Sequence, residues 1–422
     1  MESHGTPYDL QSLETQTTQA RRLPKSRVGA LDRWLARKIL EARGNPPVPF
    51  RLWDGSEVGQ GADTAVARLR IADRSTLLRL AAQGELGFGD AYSEGKIEID
   101  GDLVQTLTTL FSVPEPRRWM TRLMTRRNHP KARTHTLGGA RESIHHHYDL
   151  GNDFYALWLD AAMVYTCAYF PTPTASLEEA QEAKLEHVCR KIRLRTGERV
   201  LEAGCGWGSL ALHMARQHGV RVTAFNISRE QICYARDQAA RQGIGSQIEF
   251  VEDDYRNAHG SYDAFVSVGM LEHVGPENYE TLGRVIDRCL HADGRGLVHS
   301  IGRPQSLPMN RWIEQRIFPG SYCPTLSEMA RLLEPWNLSV LDVENLRLHY
   351  ARTLEHWLER FEKNADLVRA RFDERFVRTW RLYLAGSIAG FLSGSFHLFQ
   401  MVFARAGSRA IPWTREYLYT QS

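Results

Sequence analysis

The run Leu201-Glu-Ala-Gly204-Cys-Gly206-Trp-Gly208 constrains this chain more than any other part of it. It follows an apolar segment, residues 199–203, that reads as a strand, and it opens a helical segment at 209–218. Glycines at three alternate positions let the backbone turn sharply and leave room for something to lie where side chains would collide. Beyond the turn the pattern alternates: a strand at 221–225, a helix at 228–242, then strands at 248–251, 264–268 and 296–299. Such alternation implies an α/β fold with a doubly wound, mostly parallel sheet. No internal repeat is visible.

The turn marks a nucleotide-type crevice. A dinucleotide fingerprint needs its third glycine at position 209, which is Ser209, whereas the GxGxG present is the form seen in methyltransferases. S-adenosylmethionine is therefore the expected cofactor, held at Gly204, Gly206 and Gly208, with Glu202 supplying a carboxylate for its cationic amino group. Asn226 ends the second strand where nucleotide sites usually place an acid for the ribose hydroxyls, and it can hydrogen-bond there more weakly. Ser228 and Gln231 have capping-box spacing, which leaves Gln231 equally suited to a helix cap and to a ligand contact. Asp254 and Tyr255 follow the third strand, within reach of an adenine edge and face.

At 422 residues the chain exceeds one ordinary domain, so a catalytic domain and a smaller module are expected. Residues 1–25 are polar and aperiodic and read as disordered. Residues 26–113 read as an N-terminal α+β module, with helical spacing at Leu31, Trp34, Leu35 and Ile39, strand-like pieces at 49–53 and 65–71, and a helix from Ser75. Residues 114–141 form a basic linker and 142–422 the catalytic domain. In the linker Arg117, Arg118, Arg122, Arg126, Arg127, Lys131 and Arg133 meet no acid. It reads either as a solvated connector or as an attachment to anionic lipid, where each basic residue contributes on the order of 1 kcal/mol.

Other features exclude more than they assert. With 53 basic and 50 acidic residues the net charge of +3 gives no footing for nucleic acid, and none is expected as a partner. Six cysteines without CxxC pairs, and no apolar signal peptide, point to reduced thiols in a cytoplasmic protein. The adjacent His145, His146 and His147 cannot easily converge on one ion, so no metal is expected. Residues 382–403 carry no formal charge and approach the length of a membrane span, but six Gly and Ser residues, His397 and Gln400 dilute them. The end of that stretch reads as a buried strand.

Five motifs occur in register: His147-Tyr-Asp-Leu-Gly-Asn-Asp153, Tyr165-Thr-Cys-Ala-Tyr169, Gly204-Cys-Gly-Trp-Gly208, Glu272-His-Val-Gly-Pro276 and His299-Ser-Ile-Gly302. In these the chain resembles the cyclopropane fatty acid synthases and mycolic acid cyclopropane synthases, from about His146 to the C-terminus. The resemblance implies a Rossmann-like class I methyltransferase with a helical acyl-binding lid. It implies transfer of the cofactor's methyl group to a cis double bond of an unsaturated phospholipid, then proton loss and ring closure. It also implies a bicarbonate base held by residues matching Cys167, Glu272, His299, Ile301 and Tyr350, and cofactor contacts from Tyr165, Thr166, Gly204, Gly206, Ile227 and Gln231. A peripheral enzyme on the inner face of the cell membrane, with room for a homodimer, follows from the same likeness.

The implied chemistry is demanding. An alkene is a poor nucleophile and its methylated product is a carbocation that water captures, so the site must be dry and hold a base near the new methyl. Trp158, Tyr169 and Phe170 are candidate aromatic faces for that cation. The helical spacing of Leu354, Trp357, Leu358 and Phe361, then Phe372, Phe376 and Trp380, suggests helices over the site. The sequence departs from the family pattern at Asn226, Glu202 and Ser387; a serine at 387 in place of a cysteine argues against a thiol mechanism there. Two alternatives stay open: a methylene- or methyl-branched product from the same cation, and a non-catalytic lipid-binding protein on a methyltransferase scaffold.

Overall fold

The computed structural model describes residues 27–60, 65, 67–113 and 150–419. The tail at 1–25, the basic stretch at 117–133 and His145, His146 and His147 lie outside the described residues.

The N-terminal module runs α1 (Ala30–Ala42), β1 (Phe50–Arg51), β2 (Glu57–Val58), β3 (Arg68–Ile71), α2 (Arg74–Gln83), α3 (Glu85–Ser93), β4 (Ile97–Asp100) and α4 (Leu103–Ser112). Its four-stranded sheet has the order β2-β1-β3-β4, with only the β1–β3 pair parallel. Asp73 and Asp102 cap α2 and α4 by accepting from Thr76 N and Gln105 N, satisfying donors that a helix start leaves bare. The strand pieces expected at 49–53 and 65–71 shrink to β1 and β3. The apolar spacing of α1 also misplaces its inner face. Ala36 and Leu40 are buried together with Asp32, whereas Leu31 is 72% and Trp34 50% exposed. The reason is Asp32, whose carboxylate takes a two-pronged contact from Arg74 at 2.8 and 2.6 Å and turns its own stripe of the helix inward.

The larger unit continues with α5 (Asn152–Ala156), α6 (Leu177–Lys191), β5 (Arg199–Ala203), α7 (Ser209–His218), β6 (Arg221–Asn226), α8 (Arg229–Arg241), β7 (Ile248–Glu252), β8 (Tyr262–Val268), α9 (Tyr279–Cys289) and β9 (Leu290–Gly302). It closes with α10 (Arg311–Arg316), α11 (Leu326–Ala330), β10 (Leu338–Asn345), α12 (Arg347–Lys363), α13 (Ala365–Arg371), α14 (Glu374–Leu392) and β11 (His397–Arg405). Its seven strands take the order β10-β11-β9-β8-β5-β6-β7. β5 to β9 are mutually parallel, and β11 runs antiparallel between β9 and β10. One face is covered by a core that includes Val188, Ala211, Met214 and Ile232, the other by one that includes Leu282, Ile286, Leu332 and Phe403. This is the doubly wound α/β fold with a smaller N-terminal domain.

The uncharged stretch at 382–403 divides between the end of α14 and the buried β11, and no helix of the described residues is long and apolar enough to cross a membrane. A third apolar core runs without a break from the module through Phe154, Trp158 and Cys167 to α12 and α14. Gly89 in α3 has no room for a Cβ because the Trp312 ring of α10 lies 2.3 Å from where it would stand. Arg316 of α10 meets Asp90 of α3 at 2.8 Å, and Arg378 of α14 donates to Tyr92 O at 2.7 Å. The module is thus seated on the helices that cover the larger sheet.

Candidate active site

The carboxyl ends of the parallel strands form the rim on which ligands bind in such sheets. At β5, Gly204 N and Cys205 N both donate to Phe225 O, at 2.9 and 3.1 Å, latching the glycine turn onto β6. The three glycines do different work. A Cβ on Gly204, at φ +83, would stand 2.9 Å from Met270 Cβ. Gly208, at φ +85, faces Ala235 at 2.7 Å and Phe250 at 2.9 Å, so packing under α8 and β7 also demands a residue without a side chain there. Gly206, at φ +54, has nothing within 4 Å and offers open ground.

The crevice beside the turn is lined by Gly204, Asn226, Ile227, Asp253, Asp254, Tyr255 and Met270, among others. Asn226 spends both amide hydrogens inside the protein, on Gly206 O at 3.1 Å and Gln231 Oε1 at 2.8 Å, and so braces the glycine turn from the crevice wall. Ser228 caps α8 through Gln231 N, and the Gln231 side chain serves Asn226; it does not close the capping box. Asp254 lines the same crevice, with its carboxylate held by Arg256 at 2.8 Å and capping the turn at Arg256 N. The half-buried Asp253 beside it, which sequence reading passed over, also lines the crevice.

Glu202 is 2% exposed, and its Oε2 has no hydrogen-bond partner among the described residues. Burial pushes its carboxyl up to about 8, opposed by the nearby Lys184. A buried acid with an unpartnered oxygen, at the end of the strand that leads into the glycine turn, fits a cofactor bearing an ammonium group, as S-adenosylmethionine does. Lys184 itself was not legible in the sequence. It is fully buried on α6, donates to Thr166 Oγ1 at 3.0 Å, and burial brings its ammonium down to about 8 against the pull of Asp160, Cys167 and Glu202. Thr166 in turn packs so tightly on Gly269, at the end of β8, that a Cβ there would lie 2.8 Å from its methyl. Tyr165 OH meets Tyr383 OH at 2.9 Å.

A second polar group occupies the ends of β8 and β9. Glu272 Oε1 accepts from Ile301 N at 2.7 Å, while its buried Oε2 has no partner among the described residues. Burial raises its carboxyl to about 7, opposed by the Ile301 and Ser300 hydrogen bonds. Ile301 therefore has its N–H committed to Glu272, and its carbonyl accepts from Ser300 Oγ at 3.0 Å. His299 is fully buried, and burial with nearby lysines drives its pKa well below the usual range, so the ring is neutral. With Gln400 Nε2 assigned as donor to Nδ1 at 3.1 Å, the ring proton resides on Nε2.

Cys167 and Tyr350 approach the same ground through Leu346. The Cys167 thiol, pushed up by burial, lies 3.1 Å from Ala168 O and 4.0 Å from Leu346 O. Tyr350 N donates to that same Leu346 carbonyl, and Leu346 N donates to Leu398 O, whose residue pairs with Ile301 across β11 and β9. Glu272 is thus joined directly to Ile301, while Cys167 and Tyr350 are linked to that strand through Leu346 and Leu398.

The wall here is aromatic. Trp158 lies edge-on to Tyr165 and Trp357, with ring centroids 5.2 and 5.6 Å away, and Trp380 packs on Trp158 and Tyr383. Tyr169 and Phe170 do not join this wall. Tyr169 is stacked between His187 and His349, at 4.2 and 4.8 Å, and Phe170 stacks on His356 at 5.5 Å. Ser387 donates to Tyr383 O at 2.8 Å within its own helix, a role that needs no thiol.

Comparison with known proteins places these features. The family model for mycolic acid cyclopropane synthetase matches residues 135–401, and a domain of unknown function (DUF7884) matches 35–115. The chain is 35% identical to a probable fatty acid methyltransferase of Pseudomonas putida, covering 88% of this chain and 96% of the relative. It is 35% identical to the cyclopropane-fatty-acyl-phospholipid synthase of Escherichia coli K12, covering 81% and 89%. The crystal structure of the mycolic acid cyclopropane synthase CmaA1 complexed with SAH and CTAB superposes with a TM-score of 0.60 at 28% identity, covering 63% of this chain and 98% of that one. With the glycine turn, the unpartnered acids and the match over most of its length, the chain belongs to the mycolic acid cyclopropane synthetase family of S-adenosylmethionine-dependent methyltransferases.

Proposed function

We propose that the enzyme methylates the cis double bond of an unsaturated acyl chain in a phospholipid and closes a cyclopropane ring, with a bound bicarbonate as the base. The observation that carries this reading is Glu272: a buried carboxyl with one oxygen fixed by Ile301 N and the other unpartnered, in a patch shared with neutral His299. The E. coli relative is named for the same phospholipid reaction, and a structural relative holds SAH with the long-chain CTAB.

S-adenosylmethionine supplies the electrophilic methyl when bound beside Gly206 and Glu202. The chain's own residues do the rest. The rings of Trp158, Tyr165 and Trp357 pack on one another and exclude water, and a π face offered to the cation would be worth on the order of 1 kcal/mol. Glu272, when ionised, adds negative charge near the cationic carbon. His299 donates from Nε2, and Cys167 and Tyr350 complete a polar lining suited to a small oxyanion. A bicarbonate held by these residues would supply the base that the proton of the new methyl group needs when the ring closes.

The lipid is taken up by a peripheral enzyme at the cytoplasmic face of the membrane. The test is incubation of purified enzyme with S-adenosylmethionine and vesicles of cis-monounsaturated phospholipid, with and without removal of dissolved carbonate, and NMR of the product. Ring protons, and a rate that falls in carbonate-free buffer and recovers on adding bicarbonate, are expected. Olefinic or branched-methyl signals in the product would replace the ring by a methylene or methyl branch. Vesicle binding without methyl transfer would leave a lipid-binding protein.

A further inference from the structure

On the far side of α6 from Thr166, donors of another kind converge. The thiol sulfur of Cys189 and ring nitrogens of His213 and His218 all lie within 4.8 Å of one another. Both imidazoles present Nε2 to a single oxygen, Glu186 Oε2, at 3.3 and 3.0 Å. The other oxygen of Glu186 is held by Arg190 Nε at 3.1 Å, which fixes the plane of the carboxylate. Two helices contribute in equal parts: Glu186 and Cys189 stand one turn apart on α6, and His213 and His218 belong to α7.

We propose that Glu186, Cys189, His213 and His218 bind Zn²⁺. Sulfur and two imidazoles suit this borderline-soft ion, and Glu186, which contacts both imidazoles, completes a tetrahedral set once its carboxylate shifts toward Cys189. Metal bonds of about 2.0–2.1 Å place neighbouring N and O ligands about 3.3 Å apart around a tetrahedron. The Glu186 contacts to the two rings already have that spacing. Three acids, Glu179, Glu182 and Glu186, line the open groove that leads to His213 and His218, giving a dication an attractive path inward. The sequence hides the set because its members are divided between two helices, although the four-residue interval between His213 and His218 falls within the range common for paired zinc histidines.

Binding involves no redox change. The Cys189 thiol gives its proton to solvent, each imidazole carries its remaining proton on Nδ1, and the Nε2 and carboxylate lone pairs pass to the metal. The ion ties α6, which supports Thr166 through Lys184, to α7, which begins at the glycine turn. Its role is to hold these two helices, and no step of methyl transfer runs through it.

The test uses the full chain stripped of metal with a chelator, titrated with Zn²⁺ and separately with Co²⁺. One equivalent of each is expected to bind, Co²⁺ with a thiolate-to-metal charge-transfer band and tetrahedral visible bands, and Zn²⁺ should raise the unfolding temperature. Cys189→Ala should abolish the charge-transfer band. His218→Gln, at the more accessible position, should weaken Zn²⁺ binding tenfold or more and remove the thermal shift, with far-ultraviolet circular dichroism checking that it folds. Substoichiometric Zn²⁺, Co²⁺ bound without a thiolate band, or wild-type binding by His218→Gln would each overturn the proposal and leave a carboxylate shared by two histidines.

Discussion

In the N-terminal module Asp32 and Asp90 are each 4% exposed, about as buried as Glu202 and Glu272 at the rim of the larger sheet, at 2% and 7%. Their surroundings are opposite. Asp32 lies in the fork of Arg74, and Asp90 accepts from Arg79 and from both prongs of Arg316, so the arginines hold both carboxyls below the usual range. Glu202 and Glu272 have an unpartnered oxygen each and no ion pair among the described residues, and burial raises both. A paired buried acid contributes to holding the fold. An unpaired one costs stability and persists where its charge serves a ligand or a reaction.

The sharpest way to break this contrast is Glu272→Gln. The amide oxygen still accepts from Ile301 N, so the local fold is kept while the charge is lost. Turnover should fall by roughly 10²–10⁴-fold, the range for removing a positioned participant in proton transfer, with cofactor affinity by calorimetry nearly unchanged. A normal rate would remove Glu272 from the reacting patch.

The same variant carries the next largest effect, in stability. Because the folded pKa of Glu272 is raised from 4.5 to about 7, its favourable contribution is fully present below 4.5 and is lost as pH rises through about 7. Wild type should lose on the order of 3 kcal/mol across that window that Glu272→Gln does not lose. Denaturant unfolding of both proteins at pH 5 and pH 8 measures the difference. Equal pH dependence would mean the carboxyl is solvated or paired.

Asp90→Asn should show the reverse signature and a smaller size. It removes charge-assisted contacts to Arg79 and Arg316, costing about 1–3 kcal/mol at neutral pH, with turnover little altered. Since the Asp90 pKa is lowered, its contribution is present above the ordinary value of 3.8 and is lost as pH falls through the depressed folded value. The gap between wild type and variant should therefore close in acid. A variant that loses activity in step with stability would instead show that the seating of α3 on α10 shapes the active site.

What the sequence discloses follows from how local each signal is. The glycine turn and the strand–helix alternation are local patterns, and β5 and α7 begin and end where they predict. Glu272, Ile301, His299, Cys167 and Tyr350 come from the family resemblance; the fold joins Glu272 to Ile301 directly and ties Cys167 and Tyr350 to Leu346. Which backbone group of Ile301 is committed depended on a contact 29 residues away, to Glu272. Asp253 and Asp254 are neighbours of identical chemistry, and only the tight turn at Tyr255–Asn257 decides that Asp254 serves as cap and partner of Arg256. Lys184 sits among charged residues on α6 that read as a solvent face, and only the approach of Thr166, Asp160 and Glu202 makes it a core cation. Strands as short as β1 and β2 have too few residues to show a period of two.

The α1 helix gives the smallest prediction and tests the same idea from the module's side. Its two apolar stripes are nearly equal in sequence, and the choice between them was made by the Asp32–Arg74 pair, which turns Ala36 and Leu40 inward and leaves Trp34 outside. If that ion pair sets the face, Trp34 contributes little to folding, and Trp34→Ser should change the unfolding free energy by less than about 0.5 kcal/mol, as substitutions at exposed positions usually do. A loss well above that, measured by denaturant unfolding of the isolated protein, would mean that Trp34 is covered by some other part of the molecule. The paired acid would then orient the helix without deciding which side of it is buried.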